Sequence, residues 1–170
     1  RCHLYTTDID RIHRIDLATG ALLETVALPA AKALNDITVD PQGRLYCSDT
    51  AGDRIFTYFE GEIRTALDSI QTPNGLYFFK SQLYLAQWTP QRLQARNPQT
   101  REIKELATGL PQADGLEAMA DGSFWVSSWG GLVHWVAPDG KVHQLLDTRA
   151  EGIQAADLTR IPSRQSHDEA

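Results

Sequence analysis

The sequence predicts an all-β protein built as the blades of a β-propeller, and three observations carry that expectation. A repeat of about forty residues runs through the chain. Leu4-Tyr5, Leu45-Tyr46, Leu83-Tyr84 and Phe124-Trp125 stand 41, 38 and 41 residues apart, and turns ending at Gly20, Gly61, Thr100 and Gly140 stand 41, 39 and 40 apart. Each repeat divides into short segments with period-two alternation, rich in Val, Ile, Tyr, Phe, Trp and Thr. Gly and Pro punctuate these segments so densely that no amphipathic stretch of helical period survives. A single four-stranded unit cannot bury both of its faces, so such units stack around an axis.

The elements follow in order. The first repeat supplies three strands within residues 4–28. The second predicts strands over 34–40, 44–49, 54–59 and 62–67, with Pro41-Gln42-Gly43 as its first turn. The third predicts strands over 74–78, 82–88, 92–97 and 102–106, and the fourth over 114–119, 123–128, 132–137 and 142–146. An innermost strand over 155–160 opens a further repeat. About four blades are therefore present, in one domain over 1–162, and the polar residues 163–170 are expected to fray. Because the pattern starts and stops in mid-blade, it is expected to be part of a larger propeller. The other arrangement is a compact four-blade ring, closed by pairing 155–160 with the first three strands.

Composition narrows the function. With 170 residues, 42% of them hydrophobic and 22% charged, the chain reads as one globular domain. No apolar run approaches the ~20 residues of a membrane span. A net charge of -6 without a Lys/Arg cluster speaks against nucleic acid as a partner. Of the two cysteines, Cys47 sits in a strand and is expected to be a buried free thiol. The chain opens with Arg1 and its one methionine is Met119, so the natural start is expected upstream; the compartment stays open, with the cytoplasm favoured.

Asn35, Asn74, Asp114 and Ala156 stand 39, 40 and 42 residues apart at the start of the innermost strands. Amide oxygens and a carboxylate brought together at one end of an axis suit a hard divalent cation such as Ca²⁺. The same residues also make turns: Pro73-Asn74-Gly75 and Asp114-Gly115 are turn-like in their own right. Other chemistries find less support. His3, His13, His134, His143 and His167 lack metal-ligand spacing, no phosphate-binding Gly loop opens a helix, and Ser127-Ser128 lacks a nucleophile elbow. Trp88 and Trp129, each following the second strand of its blade, are read as covers of the blade junction rather than walls of a pocket.

The run from Leu34-Asn35-Asp36-Ile37 to Gly43-Arg44-Leu45-Tyr46, with Pro73-Asn74-Gly75-Leu76, Asp114-Gly115-Leu116 and Ala155-Ala156-Asp157-Leu158, resembles the senescence marker protein / gluconolactonase / regucalcin family. The likeness extends nearly to Pro162. It implies a six-bladed propeller with a divalent metal on its axis, and lactones or related esters as small-molecule substrates. Asn74 and Asp114 then match the metal ligands, with Asp114 also catalytic. Asn35 and, more loosely, Asp53 match substrate-contacting residues. Ca²⁺ is the expected metal, with Zn²⁺, Mn²⁺ and Mg²⁺ as alternatives. Two positions depart from the pattern. The family's ligand Glu lies on a segment that would precede Arg1, and Ala33 stands where some members carry Arg. A non-catalytic binding propeller, or an inactive fragment without the complete metal site, is the alternative reading.

Overall fold

The computed structural model describes residues 2–159. Fifteen strands form four antiparallel meanders. The first sheet is β1 (His3–Asp8), β2 (Arg11–Asp16) and β3 (Leu22–Ala27). The second is β4 (Leu34–Val39), β5 (Leu45–Asp49), β6 (Arg54–Phe59) and β7 (Glu62–Leu67). The third is β8 (Pro73–Phe79), β9 (Gln82–Gln87), β10 (Arg92–Arg96) and β11 (Ile103–Thr108), and the fourth β12 (Ala113–Ala118), β13 (Phe124–Ser128), β14 (Leu132–Val136) and β15 (Val142–Asp147). In each of the last three, strand order in space equals order in sequence, because the short turns allow no crossover. No helix among the described residues is long and apolar enough to cross a membrane.

The sheets stack through their first strands, β1 on β4, β4 on β8 and β8 on β12. Each junction has its own apolar core, as alternation requires: inward residues of one sheet meet those of the next. Ile12, Leu28, Leu45, Cys47 and Phe56 fill the first junction. Tyr46, Ile55, Leu76, Leu83 and Leu85 fill the second, and Ala86, Leu93, Leu116, Phe124 and Val126 the third. This is the β-propeller arrangement. Cys47 is buried and free, and burial raises its thiol pKa further, so it behaves as a small core hydrophobe.

Three local expectations need correcting. Residues 155–159 form no strand and add none to the β1–β3 sheet; Arg160 and the tail lie outside the described residues. The segment has no ladder partner among the described residues, and is seated instead through the Ala156 carbonyl, which accepts from the Gly115 N–H and the Ser127 hydroxyl. In the third blade the left-handed turn residue is Arg101 (φ 62°), not Thr100. Its N–H donates to Asn97 O at 2.9 Å, as Gly20 N–H does to Asp16 O at 2.8 Å, so one turn geometry persists without its glycine. Finally, β11 runs to Thr108, beyond the expected 106.

Candidate functional site

Each innermost strand of blades two to four begins with a β-bulge, and the bulge builds the site. On β4 the ladder pairs Leu34 with Asp49 and then Ile37 with Cys47, leaving Asn35 and Asp36 opposite the single residue Ser48. On β8 it steps from Pro73–Gln87 to Leu76–Leu85, and on β12 from Ala113–Ser128 to Leu116–Val126. The displaced pairs are Asn35-Asp36, Asn74-Gly75 and Asp114-Gly115. A bulge re-aims side chains that strict alternation would send into the sheet interface. Serines lock two of the three: Ser48 Oγ accepts from Asp36 N–H at 2.9 Å, and Ser127 Oγ from Gly115 N–H at 2.8 Å.

These bulges surround one cavity of about 400 Å³, lined by the three pairs together with Trp88, Trp129, Ala156 and Asp157. Asn35, Asn74 and Asp114, which the repeat singled out, thus come together. Asn74 is buried, Asp114 is half-buried and Asn35 is exposed. Asp53 does not join them. It caps the 3-10 turn Thr50–Gly52 in a left-handed conformation, its carboxylate accepts from Thr72 N–H at 2.8 Å, and it borders a separate groove.

Two carboxylates escaped the sequence reading. Asp36 and Asp157 occupy the second position of their pairs, where the middle blades carry Gly75 and Gly115. Asp36 Oδ1 accepts from Ile37 N–H at 2.7 Å, and Asp157 Oδ1 from Leu158 N–H at 2.7 Å, the same local device at both. Asp36 Oδ2 also crosses the blade junction to accept from Leu76 N–H at 2.6 Å. The glycines leave room for the neighbouring blade. A Cβ on Gly75 would collide with the Asp114 carbonyl, and one on Gly115 with Asp157 and the Ser127 hydroxyl. The pattern acid-Gly-Gly-acid, one residue after the polar column, was the available signal.

Charge accumulates where the bulges meet. Burial, then the Asp157 charge, pushes Asp114 up to about 6, against the lowering effect of a hydrogen bond from the Asn74 side chain. Burial pushes Asp36 up to about 7; the Leu76 N–H opposes this, while Asp157 and Asp114 add to it. Hard oxygen donors under mutual repulsion favour a cation. The oxygen-bearing side chains at the first bulge positions lining the cavity are Asn35, Asn74 and Asp114, a donor set of the kind a hard divalent ion takes. Among the described residues no group of three or more His, Cys, Asp and Glu side chains has the arrangement to hold a metal ion. Trp88 and Trp129 line the cavity rather than merely covering a junction, contrary to expectation, because the residue after β9 and β13 is tied back over the bulge by its backbone N–H.

The model of the SMP-30/gluconolactonase/LRE-like region matches residues 2–156, nearly all of the chain described. The chain belongs to the SMP-30/gluconolactonase/LRE-like family. A comparison with curated protein sequences returns no match. Solved structures share the fold of this family member at low identity. A gluconolactonase from Xanthomonas campestris is 23% identical, with TM-score 0.72, over 92% of this chain and 61% of that one. A calcium-binding protein, regucalcin, from Agrobacterium tumefaciens is 21% identical, with TM-score 0.62, over 82% and 54%. A catalytically inactive virginiamycin B lyase from Staphylococcus aureus is 17% identical, with TM-score 0.74, over 91% and 55%. The SMP-30-like chain thus spans little more than half the length of the structures it resembles.

Proposed function

We propose that the chain carries the axial site of a metal-dependent hydrolase acting on lactones or related esters. The observation that supports this most is Asp114: a half-buried carboxylate on the axial cavity, raised to about 6, bonded by Asn74 and flanked by Asn35. In the cation-free chain a carboxylate of that pKa is mostly ionised at neutral pH, and a cation beside it would favour that form further, leaving Asp114 in the state that can take a proton. Asn74 and Asp114 would hold a divalent cation, Ca²⁺ above all. That ion supplies Lewis-acid polarisation of an ester carbonyl. In the reaction a water oxygen bonds to the carbonyl carbon while Asp114 takes the water's proton, and Asn35 orients the substrate. Breaking the ring C–O bond then gives an alkoxide, to which the proton returns. Asp53, turned toward another groove, has no part in this step as the chain is folded here.

The test is lactone hydrolysis by the whole chain, with and without chelator, and by Asp114→Ala. Chelation abolishes the activity, and Asp114→Ala lowers kcat by roughly 10²–10⁴-fold, the usual weight of a general base. Activity that survives both treatments removes the proposal. One observation favours a second reading, a binding propeller without catalysis: Asp36 and Asp157 already have oxygens engaged by backbone N–H groups, leaving Asp114 as the freest acid. Calorimetric titration with Ca²⁺ separates the two, since the non-catalytic reading predicts weak binding or none.

A further inference from the structure

Two indoles border the axial cavity, and the hydrolytic step uses neither. The backbone beneath each is tied in the same way: the Trp88 main-chain N–H donates to Thr72 O at 3.1 Å, and the Trp129 main-chain N–H to Gln112 O at 3.1 Å. Blade two makes the equivalent bond from Thr50 N–H to Ala33 O at 3.0 Å, but its side chain is a hydroxyl, already spent on Pro73 O at 2.6 Å. Among the described residues the aromatic wall therefore stands on the Asn74 and Asp114 side. Trp129 keeps 41% of its surface exposed, an expensive disposition for the largest apolar side chain unless something covers it.

The polar part of the lining is as informative. Among the described residues no Lys, Arg or His borders the cavity. Both Asp36 oxygens accept backbone N–H groups and the Asn74 side chain bonds Asp114, so few hydrogen-bonding groups of the described lining are left for a ligand: Asn35, the remaining atoms of Asn74 and Asp114, and the second oxygen of Asp157. A polyhydroxylated ligand needs a partner for each hydroxyl it buries, and each one left unpaired is costly. In the cation-free chain an anionic ligand would meet three carboxylates, with no cationic side chain among the described residues to offset them.

We propose that this cavity selects a neutral aryl lactone, whose flat ring lies against Trp88 and Trp129 while its ester group reaches Asn35, Asn74 and Asp114. The proposal names a substrate class for the hydrolytic site, and so rests on that reading for its chemistry, but its test is one of binding.

Three lactams that cannot turn over serve as probes in calorimetric titrations of the whole chain: 3,4-dihydro-2-quinolinone (neutral, aryl), gluconolactam (neutral polyol) and a carboxylated dihydroquinolinone (anionic). The neutral aryl lactam is expected to bind at least ~10-fold more tightly than the other two. Trp88→Ala and Trp129→Ala each weaken it by about tenfold, and Phe at either position recovers affinity to within about threefold, as stacking predicts. Gluconolactam affinity does not respond to these changes. The proposal is overturned if gluconolactam binds as tightly as the aryl lactam, if the aryl lactam fails to bind, or if the Trp variants retain its affinity. Turnover of dihydrocoumarin is assayed separately. Turnover that ignores chelation and Asp114→Ala defeats the hydrolase while leaving the binding selectivity to be judged by itself.

Discussion

Asp36 performs two jobs that pull in opposite directions. Its carboxylate joins blade two to blade three through the Leu76 N–H, yet sits near Asp114 and Asp157 in a partly dehydrated site. The charged form suits the hydrogen bonds, and the protonated form suits the burial and the repulsion. With a folded pKa of about 7 against an ordinary carboxyl value of 3.8, the folded chain holds more protons than the unfolded one between those limits. Stability from this group is therefore fully present below pH ~4 and declines as pH rises through about 7. Asp114 adds the same sign over a narrower range, up to about 6. Thermal melts in chelator should give a Tm that falls between pH ~4 and ~7, and Asp36→Asn should flatten that slope while keeping an acceptor for Leu76. An unchanged slope in the variant would assign the effect elsewhere. The exposed Asp147, lowered to about 2 first by its Arg149 side-chain hydrogen bond, acts below this window and does not confuse the reading.

At the scale of the element, the first turn of each inner strand matters most. The bulge places an Asn or Asp on the cavity, and its second residue must be either an acid that bonds onward or a glycine that makes room. Gly75 does not have positive φ; its constraint is space, since a Cβ would overlap the Asp114 carbonyl. Backbone cannot give way as a flexible side chain can. Gly75→Ala is expected to cost about 1–3 kcal/mol, the usual range for overpacking, measured by urea unfolding. It should also weaken Ca²⁺ binding, because the displaced strand carries Asp114. A variant as stable as the parent would show that the two inner strands are not in tight register.

Across the whole molecule, stability is distributed over three junction cores rather than one centre. Leu85 is fully buried in the core between blades two and three, the junction that sets Asn35 and Asp36 against Asn74. Leu85→Ala is expected to cost about 2–5 kcal/mol. If blades couple mainly to their neighbours, hydrogen exchange should rise most in β4 to β11 and least in β14 and β15. Uniform acceleration would instead indicate a single cooperative unit.

Much of this was legible beforehand. Period-two alternation and turn residues placed every strand of the second to fourth blades within about two residues, because both signals are local. The column Asn35, Asn74, Asp114 was legible because the repeat carries equivalent positions to equivalent places. The turn at Arg101 was not, since a left-handed residue other than glycine leaves no compositional mark. Asp36 and Asp157 were missed for a related reason: strict alternation assigns the residue after a cavity-facing one to the opposite face, and only the bulge cancels that rule. For Asp53 the family resemblance loosely implied substrate contact, whereas the 3-10 turn directs its carboxylate to Thr72.

By itself, then, the sequence determined the blades, their order and the polar column, since each depends on neighbours along the chain and on a repeat of fixed length. Tertiary structure decided the rest. Which carboxylates face one another, which tryptophans wall the cavity and which glycines must stay bare all depend on contacts between residues about forty positions apart. Those contacts are set by the bulges and by how blades stack, and no periodicity encodes either.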